Sequence, residues 1–120
     1  MQKCLIVDDV QVTLFSTKKA LTSLGVESFG VSTSEEALNS LRKETYDLVF
    51  LDWHLGKKSG IDVLKTIRTE HGKKPHVVMC SGVEGSNKAS EALAAGADAF
   101  LEKPTTPEKV KKCLQDLGLL

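Results

Sequence analysis

Five short, nearly uninterrupted apolar runs, each followed by a segment of helical spacing, constrain this chain more than any other feature. Cys4-Leu5-Ile6-Val7, Leu48-Val49-Phe50-Leu51, Val77-Val78-Met79-Cys80 and Ala99-Phe100-Leu101 read as buried strands, and Val26 to Val31 as a more polar strand at a sheet edge. Between them run amphipathic helices. Val10, Leu14, Thr17, Leu21 and Leu24 form one stripe, closed by Gly25. Thr33-Ser34-Glu35-Glu36 is a capping box that opens a second helix through Leu41. Gly60, Leu64 and Ile67 mark the inner face of a third. Ala89, Ala92, Leu93 and Ala95 give a small-residue fourth, stopped by Gly96. Thr106 and Pro107 are N-cap and first residue of a fifth, striped by Val110, Cys113, Leu114 and Leu117.

Strands that are apolar throughout need cover on both faces, which βαβ crossovers supply. A closed barrel needs about 250 residues, and this chain has 120. The expected fold is therefore α/β, one domain over residues 1–120, an open doubly wound sheet of five parallel strands flanked by five helices. Lys plus Arg and Asp plus Glu both number 16, so no basic field points to nucleic acid. No apolar run approaches the ~20 residues of a membrane span, and because Met1 leads straight into a strand-like segment no signal peptide is expected. Cys4, Cys80 and Cys113 form no CxxC pair and read as small buried hydrophobes in a reducing, cytoplasmic setting.

In doubly wound sheets the site lies beyond the carboxyl ends of the strands. Those positions hold Asp8 and Asp9 after strand one, Asp52 after strand three, Ser81 after strand four and Lys103-Pro104 after strand five. Each alone is commonly a turn former, a cap or a solvated charge; four of five strand ends together carry the signal. Clustered carboxylates repel unless a cation joins them. All-oxygen ligands suit a hard divalent ion such as Mg²⁺, which keeps waters and binds phosphate. Mg²⁺ and Lys103 would neutralise a phosphoryl group in flight, with Ser81 donating to it. Asp52 follows the most apolar strand and is already anionic, so it is the expected nucleophile and needs no general base.

At this point the arrangement resembles the response-regulator receiver family of two-component signalling, which includes the chemotaxis regulators. The resemblance covers Lys3 to Leu117, and the matching pieces are Leu5-Ile6-Val7-Asp8-Asp9, Asp47 to Asp52, Gly60, Met79-Cys80-Ser81-Gly82, Ala95 to Phe100 and Lys103-Pro104. The resemblance implies strand order 2-1-3-4-5. It implies that Asp52 accepts phosphate from a sensor histidine kinase or a histidine phosphotransfer protein. Asp9, Asp52 and the backbone carbonyl of His54 would hold Mg²⁺, with Asp8 contributing directly or through water. Lys103 would pair with Asp52 and then the phosphate, and the Lys103–Pro104 peptide would be cis. Ser81 and Phe100 match the switch hydroxyl and switch aromatic. Phosphorylation would reshape the face of the fourth helix, fifth strand and fifth helix, where a downstream protein docks.

So read, the domain is a self-phosphorylating and self-dephosphorylating acceptor rather than a turnover enzyme. It is expected to be a monomer with no nucleic-acid or membrane contact of its own, and a stand-alone chemotaxis-like or phosphorelay element if the chain is the full gene product. Some residues depart from the family pattern. Gly56 stands where Pro is usual, so a looser loop is expected, and Lys57 and Lys58 add charge there. His54 and Val83 sit where side chains govern water access. Trp53 is expected to be partly exposed. A flavin carrier of the same layered fold, an aspartate-nucleophile phosphatase and a degenerate receiver scaffold are the other readings. The first lacks a phosphate loop, the second places its nucleophile after strand one, and the third sits poorly with a complete acid, hydroxyl and lysine set.

Overall fold

The computed structural model describes residues 2–82 and 87–120; Val83 lies outside them. Five strands, β1 (Lys3–Val7), β2 (Glu27–Val31), β3 (Leu48–Asp52), β4 (His76–Ser81) and β5 (Ala99–Glu102), form one parallel sheet in the order β2-β1-β3-β4-β5. Five helices connect and follow them: α1 (Gln11–Ser23), α2 (Ser34–Lys43), α3 (Gly60–His71), α4 (Asn87–Ala94) and α5 (Pro107–Asp116). This is the doubly wound α/β fold expected from the alternation of apolar runs and helical segments.

Successive strand residues point to opposite faces, and the core divides accordingly. Leu5, Val7, Val49, Leu51, Val77 and Met79 pack with α2, α3 and α4. Their neighbours Cys4, Ile6, Leu48, Phe50, Val78 and Cys80 pack with Ala20 and Leu21 of α1 and Val110, Cys113 and Leu114 of α5. A sheet buried on both faces accounts for strands that read as continuous apolar runs rather than alternating ones. The edge strand β2 is exposed at Glu27, Phe29 and Gly30, in keeping with its polar sequence. The three cysteines are buried and unpaired by disulfides. Burial pushes their thiols up, that of Cys113 to about 11, so they are packing groups.

Local sequence sets the helix starts. Thr33 accepts from the Glu36 amide at 3.1 Å, Ser59 from Ile61 at 3.2 Å and Thr106 from Lys109 at 3.3 Å. Helix α1 has no such side-chain cap, and Val10, its N-cap residue, is 48% exposed rather than part of the inner stripe. The segment after Asp52 is not loose. His54–Leu55 and Lys58–Ser59 pair as a short antiparallel ladder across Gly56 and Lys57. Gly56 has φ +64°, the left-handed conformation that a tight two-residue turn needs and glycine supplies cheaply.

Candidate functional site

Parallel register brings the strand ends to one edge. Val7 lies opposite Leu51, and Asp52 opposite Cys80, so Asp8, Asp52 and Ser81 follow one another across β1, β3 and β4. Period-two alternation then sorts the side chains. Asp8 and Asp52 continue the rows of Ile6 and Phe50 and share a concavity with Thr13, Thr17, Lys103 and Thr105. Ser81 continues the row of Met79, on the α3 and α4 side of the sheet. The acidic cluster and the hydroxyl flank the same strand end from opposite faces.

Asp8 and Asp52 are 4% and 5% exposed, and Asp9 is exposed. One carboxylate oxygen from each lies within 4.8 Å of the other two. Lys103 Nζ reaches 3.1 Å from both Asp8 Oδ2 and Asp52 Oδ1. The other Asp8 oxygen accepts from the Val10 amide at 2.9 Å, and Asp9 Oδ2 accepts from the Gly56 amide at 2.9 Å. Proline at position 56 would have no N–H to give, so the departure from the family pattern ties the acidic loop to the turn after Asp52.

Burial, and then the adjacent Asp8 carboxylate, raise the Asp52 carboxyl above the usual carboxylate range, although Lys103 and the His54 backbone pull it down. One ammonium shared by two buried acids does not offset both effects. Burial works against the Lys103 ammonium, but Asp52 and Asp8 hold it above its ordinary range. Three clustered carboxylates, two of them in contact with Lys103, leave surplus negative charge on all-oxygen donors among the described residues. That donor set fits a hard divalent cation.

Several backbone features hold this edge together. The Lys103–Pro104 peptide is cis, as is Lys74–Pro75 far from the site. The Lys103 amide donates to the Ser81 carbonyl at 2.6 Å. Thr105 and Thr17 share a buried hydroxyl–hydroxyl hydrogen bond of 2.7 Å that ties the loop after Lys103 to α1. Gly60 opens α3 against the strand end: its amide donates to the Trp53 carbonyl at 2.6 Å, and a Cβ there would stand 2.1 Å from the Asp52 carbonyl oxygen.

Ser81 is fully buried. Phe100 is half-buried and meets Trp53 edge-on, with ring centroids 6.4 Å apart. Trp53 itself is buried, 7% exposed, contrary to expectation; it continues the inward row of Val49 and Leu51. His54 is exposed at the start of the short ladder. Two features went unremarked in the sequence. Val12 and Phe15 are 76% and 66% exposed on α1, beside Val10. Lys88, on α4, places Nζ 3.2 Å from His54 Nε2 and 3.5 Å from Ser81 Oγ. No helix among the described residues is long and apolar enough to cross a membrane.

Comparison with known proteins agrees with this geometry. The family model described as response regulator receiver domain matches residues 4–115. The chain is 32% identical over 122 residues to chemotaxis protein CheY-3 of Vibrio cholerae serotype O1, covering 96% of this chain and 90% of that protein. It superposes on the high resolution structure of the chemotaxis response regulator CheY4 of Vibrio cholerae with a TM-score of 0.88 at 29% identity, over 98% of each chain. Elsewhere the matching region is part of something longer. Against probable histidine kinase 1 of Oryza sativa subsp. indica, 27% identical over 94% of this chain, the chain spans 15% of that protein's length.

Proposed function

The chain belongs to the response regulator receiver family, and on that premise we propose that it accepts a phosphoryl group on Asp52 and signals by the resulting change in shape. The observation that carries this reading is a carboxylate buried at the end of the central strand β3, with Lys103 Nζ 3.1 Å away and two further aspartates within 4.8 Å.

The donor is a phosphohistidine of a sensor kinase or a phosphotransfer protein. An Asp52 carboxylate oxygen attacks phosphorus and the P–N bond breaks. The imidazole nitrogen leaves with the electron pair and is neutral once protonated. Asp9, Asp52 and the His54 carbonyl would hold Mg²⁺, with Asp8 beside it. When bound, the ion supplies positive charge against the carboxylates and the incoming phosphoryl oxygens. Lys103 holds Asp52 in place before transfer and meets the phosphoryl group after it. Asp8 accepts from both Lys103 and the Val10 amide, and so orients the lysine.

Donor docking is best served by α1. Val10, Val12 and Phe15 present exposed apolar surface at the start of α1, where the Val10 amide holds Asp8, and large exposed apolar groups mark contact sites when they cluster. For the output, the phosphoryl group draws the Ser81 hydroxyl inward and Phe100 turns into the space behind it, altering the α4, β5 and α5 face. Support for this comes from the continuity of parts: Ser81 and Lys103 share a backbone hydrogen bond, and Phe100 already leans on Trp53. A downstream protein reads that face.

The test is incubation with acetyl phosphate and Mg²⁺ followed by intact-mass analysis. A phosphate adduct is expected in the wild type and none in Asp52→Ala. An adduct that survives the substitution would reassign the acceptor.

A further inference from the structure

Lys103 meets the acidic cluster on the α1 and α5 side of the sheet. A second lysine approaches from the other side. Lys88 stands in the first turn of α4, and its Nζ sits over the ring of Trp53, 4.9 Å from the ring centroid. The ammonium ends 3.2 Å from His54 Nε2 and 3.5 Å from Ser81 Oγ. An ammonium only donates, so the imidazole contact uses Nε2 as acceptor and leaves the ring proton on Nδ1. Trp53, His54 and Ser81 are the residue after Asp52, the residue after that, and the hydroxyl at the end of the adjacent strand.

We propose that Lys88 is the α4 group that engages the phosphoryl group on Asp52, leaving its contacts on Trp53 and His54 to do so. The inference rests on the phosphoacceptor reading above and adds the residue through which α4 registers the modification.

Charge and reach both favour it. Phosphorylation replaces the single negative charge of a carboxylate by roughly the −1.5 to −2 of a phosphate. Lys103 is already shared between Asp8 and Asp52, so added charge at this edge calls for another cation. A phosphoryl oxygen hydrogen-bonded to Ser81 Oγ would lie within ~6 Å of Lys88 Nζ where it now sits, given hydrogen bonds of ~2.8 Å. A four-carbon stem covers that distance by changing rotamers. Trp53 is buried and provides a fixed surface for the swing. Because Lys88 belongs to α4, its new contact would tie that helix to the modified site.

The experiment titrates beryllium trifluoride, a tetrahedral phosphoryl analogue that binds a carboxylate, into protein saturated with Mg²⁺, followed by calorimetry. Lys88→Met is expected to bind the analogue about tenfold more weakly, ~1.4 kcal/mol, with unchanged affinity for Mg²⁺ alone. Lys88→Arg keeps the charge and stays within about threefold of wild type. Lys57→Met, which removes a loop lysine near the site, stays within about twofold. Trp53 is the only tryptophan, so its emission reports departure of the ammonium from the ring: the change on adding the analogue is expected to be smaller in Lys88→Met than in wild type. Equal affinities in Lys88→Met and wild type would overturn the proposal, as would an equal loss in Lys57→Met. If wild type binds no analogue and takes no phosphate from acetyl phosphate, the phosphoacceptor reading fails first and this inference falls with it.

Discussion

The Lys103 ammonium lies 3.1 Å from Asp52 Oδ1, and it makes this contact while equally close to Asp8. Removing the cation leaves two nearly buried carboxylates facing each other, which is costlier than the pairing was favourable. Lys103→Met should destabilise the metal-free protein by about 2 kcal/mol at neutral pH, less than a wholly buried pair because the lysine retains some exposure. Urea unfolding measures this, and added Mg²⁺ should recover most of the loss. The acetyl phosphate adduct should still form, while partner binding at the α4, β5 and α5 face stops responding to it. Unaltered partner binding would refute the coupling role of the lysine.

Asp52→Asn should raise stability in the absence of metal while abolishing the phosphate adduct. The folded state holds the Asp52 proton more tightly than the unfolded chain, whose ordinary value is 3.8. The ionised carboxylate is therefore a cost to folding. It is fully present above the raised folded value and fades as pH falls toward the unfolded one. The advantage of Asp52→Asn should accordingly be largest near pH 7 and shrink toward pH 4. Chemical denaturation in a chelator at both pH values checks the sign.

Asp9 separates metal affinity from folding. Its carboxylate is exposed and accepts a hydrogen bond from Gly56, which an asparagine oxygen can also accept. Asp9→Asn should change stability by no more than about 0.5 kcal/mol yet weaken Mg²⁺ binding by about tenfold or more, as read by the Mg²⁺ dependence of Trp53 emission. A stable variant with wild-type metal affinity would remove Asp9 from the ligand set.

Gly60→Ala tests the close approach of α3 to the end of β3. Alanine favours a helix over glycine by up to ~1 kcal/mol, but here its Cβ would meet a backbone oxygen of Asp52 at 2.1 Å. The backbone must shift, so a net loss of about 3 kcal/mol is expected, with slower phosphorylation from acetyl phosphate because Asp52 moves with its carbonyl. A stabilised variant would show that the two elements separate freely.

Phe15→Ser on α1 should leave stability and acetyl phosphate reactivity near wild type, since the ring is 66% exposed. Transfer from a phosphohistidine protein should slow severalfold. Equal slowing with both donors would place the effect in the acceptor rather than in docking.

The clustered edge was legible in the sequence because parallel strands deliver the residues after each apolar run to one place, and Asp8, Asp9, Asp52, Ser81 and Lys103 all occupy such positions. What escaped had local or tertiary causes. Helical phase assigned Val10 to the inner stripe of α1, but Val10 is the N-cap residue and lies outside the helix, where that phase does not apply. Trp53 looked like a loop residue, yet strand alternation continues one step past β3 and turns it inward with Val49 and Leu51. Gly56 looked like a source of slack and instead makes a tight turn whose amide holds Asp9. The contacts of Lys88 depend on how α4 lies against β4, and no pattern in the sequence encodes that. Exposed Val12 and Phe15 left a usable signal: large apolar groups out of phase with the buried side of their helix.

The buried hydroxyl pair of Thr17 and Thr105 fastens α1 to the segment that carries Lys103. Under the proposed docking at α1, a donor would therefore take hold of the lysine's mounting as well, and recognition would bear on the chemistry through this joint. Loosening that joint should loosen the timing between a partner's arrival and the readiness of the acceptor, even where every charged group stays in place.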